Sequence, residues 1–123
     1  MTAAGVPDAL RAHAQGLHCL QAAAELLIGH AVWLQREDFL RHFVHTLPGP
    51  AGGTPTALID WPEVITGLDQ GHLPCSGSER RMLRIAASLA DGIPVDLRDA
   101  LTGLDARNTD LVRDAVTRAT GHK

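Results

Sequence analysis

A proline- and glycine-rich stretch in the middle of the chain limits every fold that the sequence can adopt. Residues 48–55 read PGPAGGTP, with three prolines and three glycines in eight positions. Proline lacks a backbone amide hydrogen, and glycine in an element interior costs conformational entropy, so neither a helix nor a central strand is expected to run through this stretch. We therefore predict a linker at 48–56 between an N-terminal part, 1–47, and a C-terminal part, 57–121.

Size and composition predict one domain over residues 1–123. A chain of 123 residues with 45% hydrophobic content is long enough for one core and too short for two substantial domains. A disulfide is not needed at this composition, so we expect Cys19 and Cys75 to be reduced. The aromatic residues all flank the linker, and we expect them to pack the two parts together: Trp33, Phe39, Phe43 and Trp61.

The N-terminal part carries the strongest helical pattern. Apolar residues recur there at spacings of three and four, which places them along one stripe of a helix: Leu17, Leu20, Ala24, Leu27, Ala31 and Leu34. The pattern predicts a helix from about Asp8 into the thirties, with bends expected at Gly16 and Gly29. The stripe is also a candidate surface for self-association, although an intramolecular core helix would have the same pattern.

Capping residues predict the remaining helices. Acidic residues at 37 and 38 favour a helix start, and the apolar spacing extends that helix to Leu47. Later helices are expected to begin at residues that can accept a backbone N–H: Asp60, Ser76, Asp96 and Asp105. No segment alternates in the manner of a strand. We therefore predict an all-α bundle of about five to six helices, with a long N-terminal helix or helical hairpin and a C-terminal group of short helices.

The stretch 76–105, SGSERRMLRIAASLADGIPVDLRDALTGLD, carries a recognisable local pattern. Its matching positions are Ser76, Gly77, Glu79, Arg80, Ile85, Ala86, Leu89 and Asp99. They resemble the segment of ABC-type ATPases that joins the signature loop to the Walker B aspartate, and the resemblance implies contact with nucleotide. Ala100 stands where the catalytic glutamate would be, and the only lysine is Lys123, so a P-loop is missing and hydrolysis by this chain alone is excluded. We interpret the pattern as a serine-capped amphipathic helix, with contact to a partner ATPase's nucleotide as a remaining hypothesis.

Two longer stretches suggest a broader resemblance. Residues 26–39, LLIGHAVWLQREDF, and residues 83–97, LRIAASLADGIPVDL, are similar to stretches of short helical proteins of high-GC bacteria. Ten arginines against one lysine agree with a GC-rich coding sequence. This resemblance implies a helical fold and no particular activity.

Histidine and cysteine spacing raises the hypothesis of a metal site. His42 and His45 lie one helical turn apart in the predicted helix, and His72 and Cys75 are separated by two residues in a loop. Together they would offer zinc four ligands of the type it prefers. The alternative is that the two histidine positions on the helix lie at its polar edge and bind nothing. A nucleophilic role for Cys75 is a further, less favoured alternative.

A second functional hypothesis is a DNA-associated accessory or regulatory protein. Short helices joined by tight turns over 76–120 are compatible with a helix-turn-helix arrangement, in which Arg80, Arg81 and Arg84 would contact phosphates. Residues 57–123 hold eight basic and ten acidic residues, however, which gives little general attraction to a polyanion. Nucleic acid is therefore not the favoured partner.

The leading hypothesis is a non-enzymatic interaction module. The chain has a net charge of −3, a pI near 6.1 and no complete catalytic motif. It lacks a run of about 18 apolar residues and a signal-peptide pattern, so we expect no membrane contact and a cytoplasmic location. We expect no cofactor. The predicted partner is a second copy, bound along the Leu17 to Leu34 stripe, or a larger protein.

Overall fold

The computed structural model describes residues 3–122 as a mainly helical chain with one small sheet. The α-helices are α1 Val6–Ala14, α2 His18–His30, α3 Glu37–Phe43, α4 Trp61–Asp69, α5 Gly77–Asp91, α6 Leu97–Leu101 and α7 Ala106–Ala119. The strands are β1 Val44–Leu47 and β2 Thr56–Ile59, and three-residue 3-10 turns lie at Ala3–Gly5, Trp33–Gln35 and Pro50–Gly52. None of the helices within residues 3–122 has the length and apolar character needed to cross a bilayer.

Side-chain caps set the start of each helix in the second half of the chain. The Ser76 hydroxyl accepts the amide of Glu79, and the Glu79 carboxylate accepts the amide of Ser76, which completes a capping box. Aspartates accept the amide three residues ahead at the starts of the other three helices: Asp60, Asp96 and Asp105. The four predicted helix starts are therefore confirmed, and each satisfies a backbone N–H that the helix itself leaves free.

The prediction of one long N-terminal helix is wrong, because two helices occupy this part of the chain. Gly16 adopts a left-handed conformation with φ of +85°, so the chain turns there and α1 and α2 form separate helices. α2 then ends at His30, because Ala31 also takes a left-handed conformation, with φ of 59°. Gly29, the other expected bend, lies in the last turn of α2 and does not interrupt the helix.

A β-hairpin replaces the predicted extension of α3 and corrects the all-α class. α3 ends at Phe43, and β1 pairs antiparallel with β2 in a register that places Val44 opposite Ile59. The predicted linker is the loop of this hairpin, apart from its last residue, Thr56, which begins β2. A Cβ on Gly49 would lie 2.1 Å from the Gly53 carbonyl oxygen, so the turn requires glycine at position 49.

The core forms around α2, which packs against α5 and α7. Leu26 and Leu27 of α2 and Met82 of α5 are almost completely buried. Trp33 and Phe43 flank Phe39 with ring centroids 5.5 and 5.6 Å away, and the Trp33 indole donates a hydrogen bond to the Glu79 carbonyl at 3.0 Å. All four aromatic residues belong to one buried cluster, as the sequence predicts.

Candidate functional site

Two leucines on α6 are exposed to solvent. Leu97 is 61% exposed and Leu101 is 47% exposed. They are four residues apart in a helix, so their side chains lie on the same side. Ala100 is the only buried residue of α6. The α6 helix therefore exposes two of its three apolar side chains.

The chain on either side of α6 is held in place. Gly92 ends α5 in a left-handed conformation, with φ of +67°, and its amide bonds the Ser88 carbonyl. The apolar neighbours that pack against the core are Ile93, Val95 and Leu104. Gly103 turns the chain again, with φ of +82°. The two leucines are thus exposed although the chain on both sides of them is packed against the core. We call residues 91–105 the α6 surface.

The α6 surface carries a concentrated negative charge. Its four acids are Asp91, Asp96, Asp99 and Asp105, and its only base is Arg98. Its net charge of −3 equals that of the whole chain, so the positive and negative charges of all other residues cancel. The ion pairs found among residues 3–122 all lie outside this segment. Bases elsewhere in the described chain therefore form no ion pair with these acids, although the Arg81 guanidinium lies beside Gly103, 3.5 Å from the position that a Cβ would take there.

Helix geometry separates the apolar and acidic sides of α6. Successive residues turn by about 100°, so Asp99 projects away from the side that carries Leu97 and Leu101. Asp96 lies beside Asp99, since its carboxylate accepts the Asp99 amide at 3.2 Å. Arg98 lies between the two sides. A partner lying across α6 would therefore contact leucines on one side and carboxylates on the other.

The four residues predicted to bind zinc do not assemble. His42 and His72 line the same cleft, but His45 lies on β1, and neither it nor Cys75 lines that cleft. Within residues 3–122 no three His, Cys, Asp or Glu side chains are placed to share a metal ion. The predicted helical spacing of the two histidines does not form, because the chain turns into β1 after Phe43, so His42 and His45 do not share a helix turn.

The cleft that contains the two histidines lies between α3, α4 and the loop after α4, and most of the residues that line it are polar. It has a volume of about 460 Å³ and is lined by Asp38, His42, Phe43, Glu63, Thr66, Gly67, Gln70, His72 and Leu73. Arg36 donates to both carboxylate oxygens of Asp38, at 3.0 and 2.6 Å, and this hydrogen bonding lowers the pKa of Asp38. The Asp38 carboxylate is therefore already paired with Arg36. Sequence reasoning identified the two histidines but not the acids, which come from separate helices.

The arginines predicted to contact DNA do not act as three free cations. Arg84 pairs with Asp69 at 2.5 Å. Arg80 is exposed and Arg81 is half-buried. On α7, Arg107 donates to the Gly29 carbonyl at 2.6 Å and so contributes to packing between helices. The structure thus reduces the cationic surface on which the DNA hypothesis depends.

The Leu17 to Leu34 stripe is not a continuous exposed surface. Ala24, Leu27 and Leu34 are buried inside the chain, whereas Leu17 is 57% exposed and lies before α2 begins. Leu20 is half-buried and Ala31 is exposed beyond the end of α2. Self-association along this stripe would require the core to open, because its central members already pack against α5 and α7.

The segment that resembles the ABC signature loop is occupied by internal contacts. Ser76 and Glu79 bond each other's amides, and the Ser78 hydroxyl accepts a hydrogen bond from the Asn108 side chain at 3.1 Å. Asn108 is 5% exposed, so this contact lies at the boundary between α5 and α7. These polar side chains serve helix starts and helix packing, which supports the capped-helix interpretation.

His30 is a buried polar residue that sequence reasoning missed. It lies at the end of α2, is 6% exposed, and its Nδ1 has no hydrogen-bond partner among the described residues. Burial lowers the pKa of His30, and the Arg107 guanidinium lowers it further, against smaller opposite effects of Glu79 and Asp105. No sequence signal distinguishes His30 from the six other histidines. Its surroundings arise only when α5 and α7 meet α2.

Comparisons with protein-family models, with curated proteins and with solved structures found no match for this chain. The functional assignment therefore depends on the surfaces described above. Of these, the α6 surface combines exposed apolar side chains with unbalanced charge.

Proposed function

We propose that the protein is a non-enzymatic interaction module that binds another protein through the α6 surface. The observation that supports this proposal is the exposure of Leu97 and Leu101 on one side of an anchored helix. Isolated exposed apolar residues are common on monomers, but a pair on adjacent turns forms a contiguous contact. Short helices with such pairs are a frequent element of protein recognition.

Covering the two leucines would give a moderate gain in free energy. Complete burial of a leucine side chain contributes about 1.5–3 kcal/mol, and both side chains are about half exposed, so the pair would contribute on the order of 2–3 kcal/mol. Association also costs several kcal/mol in lost freedom. Contacts beyond the leucines are therefore needed, and the rest of the α6 surface is available for them.

The charge of the α6 surface favours a different protein over a second copy. In a symmetric dimer the same patch meets itself. Two α6 surfaces would then face each other, each with four aspartates against Arg98 and the neighbouring Arg81, whose guanidinium lies beside Gly103. Like charges in such an interface oppose association. The homodimer version of the interaction hypothesis consequently has weaker support than docking to a larger partner.

Site-specific photo-crosslinking tests the proposal. A photoreactive amino acid at position 97 is expected to form one discrete adduct in an extract of the cells that encode the protein. The matched control carries the same group at position 47, because Leu47 is 57% exposed and lies outside both the α6 surface and the Leu17 to Leu34 stripe. The adduct should weaken when Leu101→Ser is added, and the protein identified by mass spectrometry should bind the purified chain in titration. Equal adducts from both positions, or none from position 97, would refute the proposal.

A further inference from the structure

We infer that the segment bound by the α6 surface is a basic amphipathic helix, with apolar residues along one side and arginine or lysine along the other. This inference rests on the proposed function, since it describes the partner of the same surface. It depends on two independent observations. One is the exposed leucine pair on α6, and the other is the concentration of the chain's whole net charge in residues 91–105.

The arrangement of α6 sets the order of the contacts. Leu97 and Leu101 project from one side, while Asp96 and Asp99 lie together on the other. A helix packed alongside α6 would cover the leucines with its own apolar side chains. Its cations would then reach across Arg98 to the carboxylates. An amphipathic helix carries both chemistries on one element, so its apolar side chains can cover the leucines while its long lysine or arginine side chains extend around α6 to the carboxylates.

The acids remain available for pairing although two of them cap helices. The Asp96 and Asp105 carboxylates each accept one backbone amide. A carboxylate has room for further donors on its two oxygens, and all four acids of the surface are exposed. Pairing Asp96 or Asp99 with a cation would contribute little by itself, but the two pairs together would help to select the partner and its orientation.

Other macromolecular partners fit the surface less well. A nucleic acid backbone or an anionic lipid surface is negative and would be repelled by the cluster of aspartates. A second copy of the chain would bring the same charge to the contact. A neutral apolar helix could cover the leucines, but it would gain nothing from the carboxylates on the other side of α6. A basic amphipathic segment can cover the leucines on one side of α6 and pair with the carboxylates on the other.

A pair of synthetic helical peptides tests the inference. The basic peptide carries leucines at positions i and i+4 along one side and lysines along the other, and the acidic peptide replaces each lysine by glutamate. Fluorescence anisotropy with the full chain is expected to show at least about tenfold tighter binding of the basic peptide. Raising NaCl from about 50 to 500 mM should weaken that binding, since salt screens exposed charges.

Charge variants locate the interaction. Asp96→Asn combined with Asp99→Asn should weaken binding of the basic peptide by about three- to tenfold, while asparagine at position 96 keeps the helix cap. The control is Asp110→Asn with Asp114→Asn on α7, which makes the same change in charge at exposed positions elsewhere. Binding by the control should match that of the unaltered chain. Leu97→Ser should weaken binding of the basic peptide as well.

The outcomes separate this inference from the proposed function. Equal binding of the two peptides, equal weakening by both pairs of charge variants, or preferential binding to anionic phosphatidylglycerol vesicles would overturn the inference. So would an absence of basic-peptide binding at millimolar concentration. If the crosslink from position 97 persists in any of these cases, the interaction module stands with a partner of different chemistry. Loss of that crosslink would remove the proposed function itself.

Discussion

α2 and α6 are built from similar residues but use them in opposite ways. Both consist largely of alanine, leucine and polar residues, yet α2 buries six of its residues and α6 buries only Ala100. The difference arises from their neighbours, since α2 lies between α5 and α7, whereas α6 packs mainly on α5. Local composition therefore makes both segments helical, and the number of packing partners decides whether a leucine stabilises the fold or remains available for a partner.

The comparison predicts its largest effect in α2. Leu27→Ala should lower the free energy of unfolding by about 2–5 kcal/mol, because the side chain is completely buried and its loss leaves a cavity. Urea denaturation measures this change. Leu97→Ala is the matched control, because it is the same truncation at a position that is 61% exposed. If both variants lose the same stability, the proposed contrast between α2 and α6 is wrong.

The end of α2 predicts a dependence of stability on pH. Burial and Arg107 lower the pKa of His30 below its value in the unfolded chain, so the folded state holds this histidine neutral more strongly than the unfolded state does. Its contribution to stability is complete above about pH 6.5 and falls as the pH drops from there towards the folded-state pKa. The slope contributed by one such group is at most about 1.4 kcal/mol per pH unit.

Urea midpoints between pH 7.5 and 5 measure this dependence. The charged groups near His30 are Glu79 on α5 and Asp105 and Arg107 at the start of α7, and a His30→Leu variant leaves all three in place. This variant should flatten the slope below pH 6.5. The control His42→Gln alters an exposed histidine of the polar cleft and should keep the slope. An unchanged slope in His30→Leu would show that other groups cause the pH dependence.

Removing the N-caps of α5 and α6 should cause smaller losses of stability that differ between the two helices. Ser76→Ala removes the acceptor of the Glu79 amide at the start of α5, which carries several core residues, and should cost about 1 kcal/mol of stability. Asp96→Ala removes the corresponding acceptor from α6. It should cost about 0.5 kcal/mol or less in global unfolding, since α6 contributes only Ala100 to the core, and should instead speed amide exchange within α6. Equal global losses would contradict this ranking.

The parts of the fold that depend on local chemistry could be predicted from the sequence. Ser76 and Asp96 mark helix starts because each cap is a bond across only three residues. The hairpin could not be predicted, because each strand has only four residues and their pairing joins positions across the proline-rich loop. The exposure of Leu97 and Leu101 could not be predicted from the sequence either, because the absence of a covering neighbour is a property of the tertiary packing.

Leu97→Ser completes the comparison with the smallest expected change in stability. Because the Leu97 side chain is mostly in solvent, its replacement should alter the free energy of unfolding by no more than about 0.5 kcal/mol. Urea denaturation of this variant, with Leu17→Ser as an equally exposed control, measures the effect. A loss comparable to that of Leu27→Ala would place Leu97 in the fold's own packing and remove it as a binding residue. A stable variant that no longer binds the basic peptide would separate two roles of leucine in this chain. Leucines of α2 would then stabilise the fold, whereas Leu97 of α6 would bind a partner.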